Sequence, residues 1–251
     1  MAAANIAVIL AVMTHRTNHY GQPIGAPLPD WTPRIAPPRT PMTGRYCAVE
    51  PLDPARHSND LFASFMAAPD DRDWTYLWTE RPADRVAFDH EIERAASAED
   101  LIAFAIVDHA TGRALGLASY MRIDPANGSI EIGSINFSRA LMRNRAGTEA
   151  MFLMMRRVFD ELGYRRYEWK CDALNAPSRA AAARYGFRFE GIFRQAMVTK
   201  GRNRDTAWFS IIDGEFPAIR AAFEAWLAPD NFSPDGTQRA RLAAFRDTVL
   251  T

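Results

Sequence analysis

Cysteine is scarce: Cys47 and Cys171 are the only two in 251 residues. Two thiols so far apart build neither a disulfide framework nor a metal-ligand spacing, so they read as free thiols in a reducing, cytoplasmic compartment. The histidines (His15, His19, His57, His90 and His109) are scattered and form no HExxH-type pair, so no metal is expected. Neither sign of charge is in excess. Lys plus Arg and Asp plus Glu number 30 each, which removes any general reason for a nucleic-acid or membrane partner. Long apolar runs are missing as well. "MAAANIAVILAVM" is too short to span a bilayer and lacks the basic start of a secretory signal. Met13 reads as a more natural start, with the residues before it an extension. Finally, there is no GxxxxGK[ST] and no GxGxxG, which excludes a Walker loop and a dinucleotide fingerprint.

What is present is an ordinary globular composition, 48% hydrophobic and 24% charged, enough for a real core. Three segments follow from the patterning. Residues 1–43 are an extension and a proline-rich arm, with Pro at 23, 27, 29, 33, 37, 38 and 41, extended rather than helical. Residues 44–228 form the globular domain, and 229–251 a polar tail. The arm would cover a cleft or bind a second subunit, so the chain is a monomer or a homodimer.

Within the domain, "RYCAVEPL" predicts a strand and "DPARHSNDLFASFMAA" a helix capped by Asp53 with Pro54 in its first turn. "PADRVAFDHEIERAAS" predicts a second helix. "LIAFAIVD" and "TGRALGLASYMRI" predict strands, and "DPANGS" a hairpin turn. "RRYEWKC" alternates, with Tyr167, Trp169 and Cys171 on one face. "NAPSRAAAARYGF" predicts a short helix between an Asn175 cap and a Gly186 stop. A last hairpin and "FPAIRAAFEAWLA" complete a mixed α/β sheet, mostly antiparallel, with helices on both faces.

One strand is irregular. In "SIEIGSINFS", Ile130 and Ile132 share one phase while Ile135 and Phe137 share the other. Side chains in a strand repeat every second residue, so the phase slips at Gly133-Ser134. A β-bulge there would splay the strand from its neighbour and free backbone groups for a ligand; a strand that ends at Gly133 also fits. After it, Arg143, Asn144, Arg145 and Ala146 lead into Gly147 and Thr148, which open a long apolar helix. A helix start offers unpaired N–H groups and partial positive charge. With a glycine to admit the ligand and two arginines, this loop suits a diphosphate. A solvated basic loop in front of a core helix is the plainer reading.

This stretch resembles the pyrophosphate-binding segment of the GNAT superfamily, the acetyl-CoA-dependent N-acetyltransferases, which usually reads Q/R-x-x-G-x-G/A and is often followed by Thr-Glu-Ala. Aligned on Thr148-Glu149-Ala150, Gly147 takes the last Gly/Ala position, but Met142 replaces the usual Gln/Arg and Arg145 the central glycine. "NAPSRAAAARYGFRFEG" resembles the signature of the RimJ/RimL-type branch, which acetylates ribosomal-protein N-termini and small amines. The likeness runs from about Gly44 to Leu227, and residues 44–228 would then be an acetyltransferase domain with the GNAT fold.

The resemblance implies roles. Acetyl-CoA would be the co-substrate, bound by Arg143, Asn144, Arg145, Ala146, Gly147 and Thr148, by Asn175 along the pantetheine arm, and by Arg179. Backbone N–H groups near Ile135 and Phe137 would polarise the acetyl carbonyl. Ser178 would sit by the sulfur and protonate the leaving thiolate, since the tyrosine used by many relatives is here Ala182; a serine that caps its helix is the alternative. Glu131 would take the proton of the amine, because a buried carboxylate holds protons better than a free one; a glutamate on the wet face of the sheet is the alternative. Trp74, Tyr76 and Trp78 in "DWTYLW" would grip the acceptor or plug the loop onto the core.

The implied function is acetyl transfer to a primary amine, on a small molecule or a protein N-terminus, by direct attack in a ternary complex. A transferase of a longer acyl-CoA, a non-catalytic acyl-CoA-binding module and a nucleotide-diphosphate binder are the competing readings.

Overall fold

The computed structural model describes residues 16–249. The choice between Met1 and Met13 as the start lies outside them. The chain divides into two units between Thr32 and Pro33. In the first, β1 (Arg16–Thr17) and β2 (Pro23–Ile24) pair as a short antiparallel ribbon. Asn18 closes it, its Oδ1 accepting from the backbone N–H groups of Tyr20 and Gln22.

The second unit is built on an eight-stranded sheet. Its strands are β3 (Met42–Thr43), β4 (Cys47–Pro51), β5 (Leu101–Asp108), β6 (Arg113–Asp124), β7 (Ser129–Phe137), β8 (Arg166–Asp172), β9 (Arg188–Thr199) and β10 (Arg202–Ile212). The spatial order is β3-β4-β5-β6-β7-β8-β10-β9. Only β7 and β8 run parallel. Parallel neighbours need a crossover, and α3 (Arg145–Arg156) with the wide turn Arg157–Glu161 supplies it.

The other helices are α1 (Pro54–Met66), α2 (Arg85–Ser97), α4 (Ala176–Tyr185), α5 (Phe216–Leu227) and α6 (Leu242–Val249). Their starts follow the expected chemistry. The side chains of Asp53, Asp84 and Asn175 accept from first-turn N–H groups of α1, α2 and α4. Gly186, with φ of 99°, stops α4.

Strand alternation sorts the core into two layers. On β5, Ala103 and Ala105 face α1 and α2, in a cluster with Leu61, Phe65, Trp74, Phe88 and Ile92. Phe104 and Ile106 face the other way, toward the α3 and α5 layer with Ile130, Ile132, Tyr167 and Trp169. Helices therefore cover both faces, as expected.

Beyond Leu227 the chain does not trail off as its polar composition suggests. Phe232 and Leu242 enter the core. Asn231 Nδ2 donates to the Trp226 carbonyl at 2.9 Å, and Trp226 Nε1 donates to Gln238 at 2.9 Å. Isolated anchors of this kind leave no periodic trace in a sequence. The arm from Pro33 onward is anchored in the same way. Arg34 Nε donates to the Gly163 carbonyl at 2.8 Å, and the buried Arg157 donates to Thr40 and Pro41 carbonyls at 2.7 and 3.0 Å.

Glu149 ties the first strands to α3. It is buried, and its carboxylate accepts from the N–H groups of Arg45, Tyr46 and Cys47 at 2.8, 2.6 and 2.9 Å. A Cβ on Gly44 would run into that carboxylate, so the turn needs glycine. Glu149→Ala should strand the buried N–H of Cys47 and leave those of Tyr46 and Arg45 to water. A buried orphaned donor costs about 1–3 kcal/mol, so urea unfolding should show a loss of roughly 1–3 kcal/mol. A loss under about 1 kcal/mol would mean that water replaces the carboxylate in full.

Candidate active site

β7 and β8 pair only from Ser129 opposite Arg166 to Ile132 opposite Trp169. The cause of their separation lies in β7. Leu117 of β6 faces Asn136 and Ser119 faces Gly133, so β7 carries one extra residue there. Ser134 has φ of 48°, the left-handed region. This is the bulge expected from the phase slip. Its mirror sits on β6, where Arg122 has φ of 45° and the register shifts between Met121 and Asp124. Past the bulge, the backbone of Ile135, Asn136 and Phe137 has no partner on the β8 side, and a gap opens through the sheet.

On the α3 side of the gap stands Ser178. Its Oγ accepts from Trp169 Nε1 at 3.0 Å, and Trp169 is the last residue of β8 paired to β7. The Ser178 hydroxyl is therefore at the apex of the splay. It also meets the Cys171 thiol, whose pKa burial pushes up while the hydroxyl opposes that rise. Ser178 does not cap its helix with its side chain: Asn175 Oδ1 does so, accepting from the Ser178 N–H at 3.1 Å.

The basic loop is distributed more widely than its sequence suggests. Asn144 caps α3, accepting from Ala146 N–H at 3.0 Å. Arg143 is exposed with φ of 58°. Arg145 lies over the rings of Tyr46 and Phe232, at 4.3 and 5.4 Å from their centroids. Arg179 donates to the Ala173 carbonyl at 3.2 Å. A cation the sequence reading missed is Arg184, which donates to Thr148 Oγ1 at 3.1 Å and so reaches the first turn of α3 from α4. Gly147 is buried, and a Cβ there would sit 3.0 Å from both the Leu141 carbonyl and the Phe137 ring.

On the opposite face the gap opens into a cavity of about 290 Å³. Glu131, Gly133 and Ser134 of β7 line it with Met121, Arg122, Lys170, Phe193, Met197, Arg204, Thr206, Trp208 and Trp78. The three aromatics of the "DWTYLW" loop thus part company. Trp74 is buried under α1 and α2, Tyr76 donates to the Leu174 carbonyl at 3.1 Å, and Trp78 alone of them reaches the cavity. Lys200 fixes this loop from the β9–β10 turn, donating to the Trp74 carbonyl at 2.7 Å.

Glu131 is 3% exposed and sits between two cations, Arg122 Nη1 at 2.8 Å and Lys170 Nζ at 2.7 Å. The Arg122 contact is a hydrogen bond; Lys170 approaches Oε2 off the line of one. Lys170 also meets Glu168 at 2.7 Å, Glu168 meets Arg166 at 2.6 Å, and Arg166 meets Glu190 at 2.6 Å. Burial alone would raise the Glu168 pKa, but its bonds from Lys170 and Arg166 outweigh that and hold it below the ordinary value. The result is a row of alternating charge across β6, β7, β8 and β9. Arg204 stands outside the row. It is 8% exposed, its Nε has no hydrogen-bond partner, and burial pushes its pKa down against the attraction of Asp172. Period-two spacing on β8 and β10 carried this set (Glu168 and Lys170; Arg204, Thr206 and Trp208), but without the strand order nothing joined it to Glu131.

The sequence profile of the acetyltransferase (GNAT) domain matches residues 49–188, more than half of the chain, and the chain belongs to this family of N-acetyltransferases. A GCN5-related N-acetyltransferase from Brucella melitensis is 51% identical, with a TM-score of 0.86 over 88% of this chain and 100% of that one. The uncharacterised N-acetyltransferase p20 of Bacillus licheniformis is 29% identical over 113 residues, 45% of this chain and 63% of that protein. The match therefore spans less than two thirds of this curated relative. An acetyltransferase of Salmonella typhimurium that modifies the N-terminal serine of ribosomal protein L7/L12 is 18% identical, with a TM-score of 0.55 over 67% of this chain and 96% of that one. That likeness is one of fold alone.

The surroundings of Gly147 yield a test. Gly147→Val should press on Leu141 and Phe137, and overpacking of this kind costs about 1–3 kcal/mol. The thermal midpoint should fall even without ligand. An unchanged midpoint would show that the loop moves aside freely, leaving ligand approach as the reason for glycine.

Proposed function

We propose that the protein transfers an acetyl group from acetyl-CoA to a primary amine by direct attack, with both substrates held in one complex. One observation carries the reading. The β7–β8 pairing ends at Ile132 and Trp169, with Trp169 holding the Ser178 hydroxyl on the α3 side and Glu131, Gly133 and the bulged Ser134 lining the cavity on the other.

The residues present fit the donor. The backbone from Ile135 to Phe137, unpartnered on its β8 side, offers a strand edge for an extended amide-bearing arm. The start of α3 offers N–H groups and a partial positive charge to a diphosphate, with Arg143, Arg145 and Arg184 nearby. When bound, acetyl-CoA supplies a thioester whose acetyl carbon the amine attacks, so that a C–N bond forms, the C–S bond breaks and a thiol leaves.

The chain supplies two proton steps. The amine loses a proton toward Glu131. Both carboxylate oxygens already face cations, so the transfer runs through water or displaces one of those contacts. On the other side, the Ser178 hydroxyl gives its proton to the departing sulfur and regains one from water, while Glu131 returns the amine's proton to solvent. The Ser178 oxygen accepts from Trp169, which leaves the hydroxyl proton for the departing thiolate, a stronger acceptor than the nearby Cys171 thiol. This arrangement favours an enzyme over a non-catalytic acyl-CoA-binding module.

Ligand binding comes first among the tests. CoA at about a hundred times its Kd should add roughly 2.7 kcal/mol to stability, seen as a raised thermal midpoint, while ATP at the same concentration does much less. An equal shift with ATP would point to a general diphosphate binder. Longer acyl-CoAs compared in the same assay rank the donors.

Turnover separates the two proton steps. Ser178→Ala should lower kcat by up to about 10²- to 10⁴-fold, the usual range for general acid help, with CoA affinity nearly unchanged. Glu131→Gln should lower kcat/KM near neutrality and flatten the acid limb of the pH–rate profile. Wild-type kcat in Ser178→Ala would leave Ser178 as a partner of Trp169 only. An unaltered acid limb in Glu131→Gln would move the base elsewhere.

A further inference from the structure

We infer that the acceptor is a small aminocarboxylate, whose carboxylate is received by Arg204 while its amine lies by Glu131; this rests on the acetyl-transfer reading above. The charges around the cavity carry the argument. Arg122 and Lys170 share Glu131, and Lys170 also meets Glu168. Arg204 makes no ion pair among the described residues, and Asp172 and Glu131 act on it only from a distance. A cationic residue more than nine-tenths buried without a counter-anion is costly to the fold. The arrangement makes sense where a ligand brings the missing negative charge.

Its neighbours fit the same ligand. Arg204 lies 4.6 Å from the centroid of the Trp78 ring, which steadies the plane of the guanidinium and leaves its N–H edge free. Thr206 and Trp208 line the same cavity, and their Oγ1 and Nε1 atoms are buried without a hydrogen-bond partner. With Arg204 Nε, three unmet donors lie along one strand at every second residue, β10. Buried polar groups are normally paired, and of the three it is Arg204 that carries the charge a carboxylate would answer. Beyond these and the ion-paired Arg122, Glu131 and Lys170, much of the wall is apolar: Met121, Phe193 and Met197, with Phe193 stacked on Trp208 at 4.4 Å. This suits a short hydrocarbon spacer. At about 290 Å³ the cavity lies at the lower edge of the range for small-molecule sites, roughly 300–1,000 Å³.

The test uses the full chain and paired probes. Glycine, β-alanine, 4-aminobutyrate, 6-aminohexanoate, leucine and phenylalanine are each compared with their own carboxamides, which keep the shape and remove the charge. Binding is read by tryptophan fluorescence, since Trp78 and Trp208 line the site, and turnover by thiol release from acetyl-CoA. At least one acid should exceed its amide by about tenfold or more in affinity and in kcat/KM, the usual scale of a charge-assisted bond. Arg204→Met should collapse that ratio toward one, and Arg204→Lys should restore part of it. Arg204→Met should also leave the thermal midpoint unchanged or raised, because it removes an unpaired buried charge. A structural arginine would lower it.

Equal binding and use of acids and amides across the series would overturn the inference while leaving acetyl transfer in place. So would an undiminished preference in Arg204→Met, or a better rate with peptide N-termini than with every free acid. Arg204-dependent binding of an acid with no thiol release from any amine would support the pocket and overturn acetyl transfer.

Discussion

Two parallel strands stay paired only while their backbones keep step, and β7 loses step at Ser134. The site depends on that one slip. Without the extra residue, β7 would continue beside β8, the sheet would be continuous, and Ser178 and Glu131 would lie on opposite faces of an unbroken layer. The left-handed serine costs strain of order 1–3 kcal/mol, and the well-packed layers of α1 with α2 and of α3 with α5 hold it in place. A second left-handed residue, Arg122, sits on the neighbouring strand and presents the guanidinium that holds Glu131. Strain and charge are therefore set by the same local geometry.

Much of this was legible in the sequence because it is written in periods. The alternation of "RRYEWKC", the caps at Asp53 and Asn175 and the stop at Gly186 all follow from short-range chemistry. So does the slip in "SIEIGSINFS", since a change of phase is visible in one strand alone. Ser178 was singled out by resemblance, and its place beside Trp169 depends on a contact nine residues away that the spacing does not specify.

What was not legible depends on strand order. Lys170 and Arg204 look like ordinary surface cations until β8 and β10 are placed beside β7. Trp74 and Trp78 are four residues apart and similar in character, yet one plugs the core and the other lines the cavity. Burial divides them, and burial is settled by α1, α2 and the β9–β10 turn together. The segment after Leu227 escaped notice for the opposite reason. Its anchors, Phe232 and Leu242, are single side chains in a polar stretch, and isolated contacts leave no pattern to read.

The row of alternating charge from Arg122 to Glu190 also bears on how this surface can vary. Lys170 answers to two carboxylates, and Arg166 answers to two. A change at any interior position leaves a buried neighbour unbalanced, so an isolated replacement is penalised where a matched pair is tolerated. Drift along this face should therefore proceed by couples, with gains and losses of opposite sign on adjacent strands. Arg204, outside the row, is free of that coupling.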